Sequence, residues 1–264
     1  MTFKRYDTKL SCGIVGFPLN EPRSIPIWQK YIKKHKIEAK MESFEIKPNS
    51  LSKFIRKIRK DDKFLAMAVT MPYKKKIIKF LDKLDNFSKK TSSVNLVVKR
   101  KNKLFGYNTD IYGARECFKN KIKKYQNIII FGLGGTGQAI FNYLHHTYKS
   151  KNFYLISNKY HFKSNNVKIL KKINKTILND KALIFNCTPL GSNLKKSFKK
   201  KLPMKNELIH EISNESFMFD IIYSPIQTIL LKECKLHGLE GINGLRMNTL
   251  QAEKALNIVF NKGK

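Results

Sequence analysis

A β-branched run, Asn127-Ile128-Ile129-Ile130-Phe131, leads directly into Gly132-Leu133-Gly134-Gly135-Thr136-Gly137, and an apolar segment, 138–148, follows at once. Strand, tight turn and helix in that order leave few folds open. The run is apolar at nearly every position, which suits a central strand covered on both faces rather than an edge strand. Gly132 permits the tight turn, and Gly134 lets the backbone approach a pyrophosphate. The helix start that follows offers unpaired N–H groups and a partial positive charge to phosphate. The feature predicts a Rossmann-type, dinucleotide-binding half.

The remaining pattern alternates. Strands are expected at 10–16, 39–46, 64–69, 94–98, 104–107, 153–157, 182–186 and 217–221. Helices are expected at 27–36, 51–60, 76–84, 111–120, 228–234 and 248–260, with Ser50 as the N-cap of the second. A weak helical period runs through 167–173. The stretch 192–206 reads as a basic loop. Strands alternating with helices argue for an α/β chain with a mainly parallel sheet.

Charge needs separate treatment. Lys and Arg number 53 against 19 Asp and Glu, a net charge of +34. The excess is mostly lysine and is spread along the chain. It travels with many Asn, Ile, Phe and Tyr, and no helix-turn-helix, zinc-finger or RNP-like pattern accompanies it. A solvated basic surface with weak, nonspecific polyanion affinity is expected, without a specific nucleic-acid partner. No run of about 18 apolar residues is present, so no membrane span is expected. The first residues carry no apolar stretch of the signal-peptide kind, which points to a cytoplasmic protein. Cys12, Cys117, Cys187 and Cys234 lie far apart in sequence and read as free thiols. The histidines show no metal-ligand spacing, and no metal is expected.

Two segments carry the chemistry. Ala68-Val69-Thr70-Met71-Pro72-Tyr73-Lys74 follows a strand and ends in a lysine beside a Pro-Tyr turn. Gly106-Tyr107-Asn108-Thr109-Asp110 supplies a carboxylate shortly before the glycine loop. A lysine and an aspartate offered ahead of a dinucleotide site suit acid/base work in hydride transfer. The second strand of the nucleotide-binding half ends Ser157-Asn158-Lys159-Tyr160-His161-Phe162-Lys163. It lacks the carboxylate that binds a ribose 2′-hydroxyl in NAD sites, and Lys159 and Lys163 instead suit a 2′-phosphate. NADP is the expected cofactor.

Taken together these motifs resemble the shikimate dehydrogenase family, in order and over nearly the whole chain. Gly13-Ile14-Val15-Gly16-Phe17-Pro18-Leu19 resembles its opening strand and turn. Val69 through Lys74 resembles V-T-x-P-x-K, and Ser93-Val94-Asn95 resembles A-V-N. Asn108-Thr109-Asp110 with Gly113 resembles N-T-D-x-x-G. Asn158-Lys159-Tyr160 with Lys163 resembles N-R-[TS]-x-x-R, with lysine at both arginine positions. Asn186-Cys187-Thr188-Pro189-Leu190-Gly191 resembles N-x-T-P-x-G. The segment from Asp220, through Tyr223, to Leu231 resembles D-x-x-Y-x-P-x-x-T-x-L-L. Gly244-Leu245-Arg246-Met247 and Gln251-Ala252 resemble G-x-x-M-L-x-x-Q-A.

The resemblance implies an NADP-dependent oxidoreductase acting on a CH–OH group, reducing 3-dehydroshikimate reversibly to shikimate in chorismate and aromatic amino acid biosynthesis. It implies Lys74 and Asp110 as catalytic. Ser24, Thr70, Asn95, Tyr223 and Gln251 are implied to hold substrate. Gly132, Gly134, Gly135, Asn158, Lys159, Lys163, Thr188, Gly244 and Met247 are implied to bind cofactor. The expected organisation is a substrate domain over 1–110 and 243–264, to which the C-terminal helix returns, and a Rossmann NADP domain over 111–242. The partner is a small hydroxy acid, and the chain is a monomer or homodimer. Departures gather at the substrate end. The family's S-x-S-P reads Pro22-Arg23-Ser24-Ile25, and Ala68 and Leu96 stand where Asn and Thr are usual. The lost hydroxyl and amide are expected to remove hydrogen bonds that a polar substrate would need. Arg23 offers a guanidinium grip on a carboxylate. The alternative these departures imply is a related oxidoreductase acting on quinate or another hydroxy acid.

Overall fold

The computed structural model of the chain describes residues 9–19, 22–158 and 160–260. Backbone contacts divide it into two units. The first runs to Thr109 and resumes at Gln251, and the second is Asp110–Leu250.

The first unit contains β1 (Leu10–Gly16), α1 (Ser24–Lys34), β2 (Ala39–Glu45), α2 (Leu51–Lys60), β3 (Phe64–Val69), α3 (Tyr73–Lys76), β4 (Lys83–Leu84), α4 (Asn86–Thr91), β5 (Leu96–Arg100) and β6 (Lys103–Tyr107). Its sheet has the order β2-β1-β3-β5-β6-β4. The first three strands pair in parallel, and β5 then turns antiparallel to β3 and to β6. The β5–β6 hairpin turns at Lys101, whose φ of 54° is left-handed. In α2, Leu51, Ile55 and Ile58 fall on one face and are buried, leaving the basic residues outside. In α1, Trp28 and Ile32, one turn apart, go inward.

The second unit contains α5 (Thr109–Phe118, starting on the last residue of the first unit), β7 (Asn127–Phe131), α6 (Gly135–Thr147), β8 (Asn152–Ile156), β9 (Val167–Leu170), α7 (Lys175–Leu178), β10 (Ala182–Asn186), β11 (Phe217–Asp220), α8 (Ile229–Leu236), β12 (Glu240–Ile242) and the start of α9 (Leu245–Phe260), whose residues from Gln251 on belong to the first unit. Its strands lie β12-β11-β10-β7-β8-β9, all parallel. The β7 run occupies the middle, as its composition requires. Ile128, Ile129 and Ile130 are 0% exposed, and each stabilises the fold by about 1.5–3 kcal/mol through burial. Helix α9 ends in the first unit, where Ala255, Leu256 and Val259 join Trp28, Ile32 and Met41 in one core. Among the described residues no helix is long and apolar enough to cross a membrane.

One local expectation is refined and two are corrected. Ser50 occupies the N-cap position of α2, but its side chain makes no capping hydrogen bond. It closes a 3₁₀ turn, Pro48–Ser50, and its hydroxyl faces Asn49 Oδ1 at 3.4 Å. The helix expected over 76–84 breaks into α3, a 3₁₀ turn (Ile78–Phe80) and the short strand β4. Asp82 causes the break by accepting the Leu104 N–H (2.7 Å) and an Arg59 N–H (2.7 Å), which draws the segment against β6. The weak helical period at 167–173 is overridden at β9. Its backbone pairs with β8, and that ladder supplies hydrogen bonds that the sequence period does not register.

Candidate active site

The end of β3 is fixed to its neighbours before any side chain enters. Thr70 donates its N–H to Val15 O at 2.9 Å, and Val69 donates to Asn95 O at 2.7 Å. A side chain at Gly16 would meet Thr70 Cγ2 and Leu19 Cδ2 at 2.5 Å, so only glycine permits the approach of β1 to Thr70. The Met71–Pro72 peptide is cis. Tyr73 is wholly buried and donates its hydroxyl to Ile46 O. Val94 N–H then donates to Lys74 O at 2.8 Å. Lys74 is therefore held on both sides, and its side chain is half-buried while those of Lys75 and Lys76 are exposed. This distinguishes it from its two neighbours in the lysine run.

Asn95 lies one residue after that anchor. It is buried, and so are Asn108 and Thr109. Asn95 Oδ1 accepts the Thr109 N–H at 2.7 Å. Asn95 Nδ2 lies 2.9 Å from Thr109 Oγ1 and 3.3 Å from Gln251 Oε1, with Thr109 Oγ1 3.2 Å from the same Gln251 oxygen. Asn108 Nδ2 donates to Thr91 Oγ1 and Ser93 O, both at 3.0 Å. Asp110 follows directly in the first turn of α5. The first unit thus gathers Thr70, Lys74, Asn95 and Gln251, which the sequence pattern singled out. It adds Asn108 and Thr109, which the pattern contained as motif letters without a role, and Tyr73, which stands at an open position of its motif. Ser24 opens α1, next to exposed Arg23.

The departures look different in three dimensions. Ala68 and Leu96 are cross-strand partners on β3 and β5. Leu96 is 0% exposed and belongs to the core with Cys12, Ile14 and Trp28, with Ala68 packed against it. The expectation that Leu96 removes a substrate hydrogen bond is corrected here, because its side chain faces core and not solvent.

In the second unit the glycine loop is tight at its ends and open in the middle. Gly132 has φ +84°, and a Cβ there would press on Thr188 at 2.7 Å. A Cβ on Gly137 would lie 2.0 Å from Gly132 O. Around Gly134 and Gly135 an added Cβ meets nothing within 4 Å. That open cradle at the start of α6 suits the pyrophosphate of a dinucleotide.

The C-terminal ends of β10 and β11 are joined by a buried carboxylate. Asp220 Oδ2 accepts from Thr228 Oγ1 at 2.7 Å, and Oδ1 accepts from Asn186 Nδ2 (3.0 Å) and Ile222 N (3.1 Å). Burial is the larger influence and pushes the Asp220 carboxyl up to about 6, against the lowering effect of those three donors. Asn186 Oδ1 in turn accepts from Thr188 Oγ1 at 2.7 Å, which orients Thr188. Gly244 donates to Ile222 O at 2.9 Å, and a Cβ there would strike Ile221 O at 2.0 Å. These contacts bring the Tyr223 segment, Gly244 and Met247 of α9 to one end of the sheet. The role of Asp220 was visible in sequence only as the first letter of a motif.

Asn158 and Lys163 lie exposed on the loop after β8, and Lys159 lies outside the described residues. Burial pushes the Cys12 and Cys234 thiols up to about 12, which leaves them inert. Among the described residues no three His, Cys, Asp or Glu gather as metal ligands.

The family model for the shikimate dehydrogenase substrate binding domain matches residues 14–97. A shikimate dehydrogenase (NADP(+)) of Clostridium botulinum is 30% identical over 253 residues, covering 93% of this chain and 95% of the relative. One from Pelagibacter ubique is 32% identical over 250 residues, covering 92% and 90%. The chain belongs to the shikimate dehydrogenase family. Among solved structures, the shikimate dehydrogenase of Aquifex aeolicus superposes with a TM-score of 0.79 at 25% identity, over 96% of this chain and 93% of that one. The two-sheet architecture is that of the shikimate dehydrogenase fold, with an N-terminal α/β unit and a Rossmann-type unit.

Proposed function

We propose that the chain catalyses the NADP-dependent, reversible reduction of 3-dehydroshikimate to shikimate, a step toward chorismate and the aromatic amino acids. One observation carries the reading. Lys74 is held through Val94 beside the buried Asn95–Thr109–Gln251 cluster, in a chain whose relatives are shikimate dehydrogenases (NADP(+)).

NADPH, when bound, supplies hydride to the ketone carbon. Lys74, as an ammonium, gives a proton to the carbonyl oxygen as it gains charge, and is reprotonated from water. In the reverse direction the Lys74 amine takes the hydroxyl proton. Asp110 orients Lys74 and accepts a hydrogen bond from a ring hydroxyl. Asn95, Thr70, Gln251, Tyr223 and Ser24 hold the remaining polar groups, and Arg23 supplies a cation for the carboxylate in place of the serine lost at Pro22. On this reading the stretch 1–110 with 243–264 is the substrate domain and 111–242 the NADP domain.

The cofactor choice rests on the second unit. Gly132, Gly134 and Gly135 with the start of α6 would hold the pyrophosphate. Asn158, Lys159 and Lys163 would face the 2′-phosphate, and Thr188, Gly244 and Met247 would border the nicotinamide. The four unpaired cysteines support a reducing, cytoplasmic setting, and a monomer or homodimer is part of the same proposal.

The test is NADP⁺ reduction followed by absorbance with shikimate, quinate and a panel of related hydroxy acids. Turnover with shikimate at a kcat/KM above every other compound is expected. Clear activity on another hydroxy acid with none on shikimate overturns the reading.

A further inference from the structure

The loop after β8 is tied down at both ends. Gly132 N–H donates to Ile156 O at 3.1 Å, so the glycine loop and this loop leave the sheet side by side. Ser157 N–H donates to Leu170 O at 2.9 Å. At the far end, Asn166 donates through Nδ2 to Lys149 O and Lys151 O, both at 2.9 Å, and accepts the Phe153 N–H on its own carbonyl at 2.8 Å. Between these ties the loop carries polar residues, and two aromatic ones turn back toward the fold.

Those two rings meet α6. Phe162 packs edge-on against Phe141, with centroids 5.0 Å apart at 88°, and against His145 at 5.0 Å and 81°. Tyr160 meets Phe141 at 6.0 Å and 84°. Phe141 also packs on Phe153 of β8, at 5.6 Å. The cluster therefore joins the loop to the same helix whose start carries the open glycine cradle. From Gly135 to Phe141 that helix rises about 9 Å at 1.5 Å per residue. One rigid element thus fixes the position of the loop relative to the pyrophosphate site.

We propose that Phe162, seated on Phe141 and His145, is a positioning residue for cofactor specificity, holding Tyr160 and Lys163 in place to receive the 2′-phosphate. The inference rests on the NADP reading above and deepens it. A lysine binds phosphate as a point charge on a flexible stem and lacks the planar fork of arginine. A loop that relies on lysine loses affinity if it must also become ordered on binding. The aromatic buttress lowers that ordering cost by seating residues 160–163 on α6 beforehand. Burial raises the Tyr160 phenol above its usual value, so its hydroxyl remains a proton donor toward phosphate.

The experiment is calorimetric titration of 2′,5′-ADP and of 5′-ADP into the full chain, for the wild type and for Phe162→Ala, Phe162→Leu and Phe162→Tyr. The wild type is expected to bind 2′,5′-ADP at least about tenfold more tightly than 5′-ADP. Phe162→Ala is expected to weaken 2′,5′-ADP about tenfold while leaving 5′-ADP within about twofold. Phe162→Tyr keeps the ring and is expected to restore wild-type binding of both. If Phe162→Ala does not fold, Phe162→Leu carries the same comparison with a smaller loss. Equal weakening of both nucleotides, or no weakening of either, overturns the positioning role while leaving the NADP reading intact. A wild type without preference for 2′,5′-ADP overturns the NADP reading and the inference with it.

Discussion

Asn95 accepts the backbone N–H of Thr109 on its side-chain oxygen at 2.7 Å, in a site where both residues are almost free of solvent. A residue just before β5 thereby fixes the residue that starts α5, and Asp110 follows from it. Removing the acceptor leaves a buried N–H unpaired. Asn95→Ala is expected to destabilise the fold by about 1–3 kcal/mol. It should also raise KM for shikimate at least tenfold, about 1.4 kcal/mol of binding. Chemical denaturation and steady-state kinetics on the one variant check both. An unchanged denaturation midpoint would mean the bond does not hold the segment.

Lys74 is expected to act in chemistry and not in folding. Its neighbour Tyr73 carries the burial, and its own carbonyl carries the anchor to Val94. Lys74→Ala therefore leaves the framework in place. Turnover should fall by about 10²–10⁴-fold, the usual worth of a positioned acid/base group, with NADP affinity and melting temperature unchanged. Near-normal turnover would remove Lys74 from the mechanism.

Asp220 gives the fold a specific pH dependence. Its carboxyl is pushed up to about 6 by burial, so between the usual carboxylate value and about 6 the folded state holds more protons than the unfolded state. Stability from this group is greatest at low pH and declines as pH rises through that window, by about 3 kcal/mol, then stays flat above it. The stability difference between the wild type and Asp220→Asn should fall from pH 4 to pH 6.5 and be constant at higher pH. Urea titrations of the two proteins at half-unit intervals measure it, and a difference that does not vary with pH rejects the assignment.

The sequence was most legible where period and composition agree. The β7 run, the glycine loop and the amphipathic face of α2 followed directly from residue order, because each is fixed by local geometry and burial. The motif letters single out Lys74, Asn95 and Gln251 from residue order alone. Four kinds of feature were not legible. Ser50 takes the N-cap position of α2, but the turn begun at Pro48 leaves its hydroxyl facing Asn49 and not the helix N–H groups. Strand β9 gained its structure from pairing with β8 and not from its own period. Leu96 looked like a lost substrate contact because a sequence does not say which face of β5 meets Ile14 and Trp28. Thr109 and Asp220 stood inside recognised motifs, yet their work as ties between distant segments needed the hydrogen-bond partners to be known.

The glycine loop separates folding from binding within a few residues. A methyl at Gly137 would lie 2.0 Å from Gly132 O, a backbone atom that cannot move aside without opening the turn. A methyl at Gly134 meets nothing within 4 Å, and the φ of −70° there is ordinary for alanine. Gly137→Ala is thus expected to destabilise the Rossmann-type unit by about 1–3 kcal/mol, as overpacking does. Gly134→Ala is expected to leave the melting temperature within about 2 °C while filling the space a pyrophosphate needs, weakening NADP at least tenfold, or about 1.4 kcal/mol. Thermal melts with and without NADP⁺ distinguish the two. For Gly134→Ala the apo melt should match the wild type and the cofactor-induced rise should shrink. An undiminished rise would show that the dinucleotide does not approach Gly134.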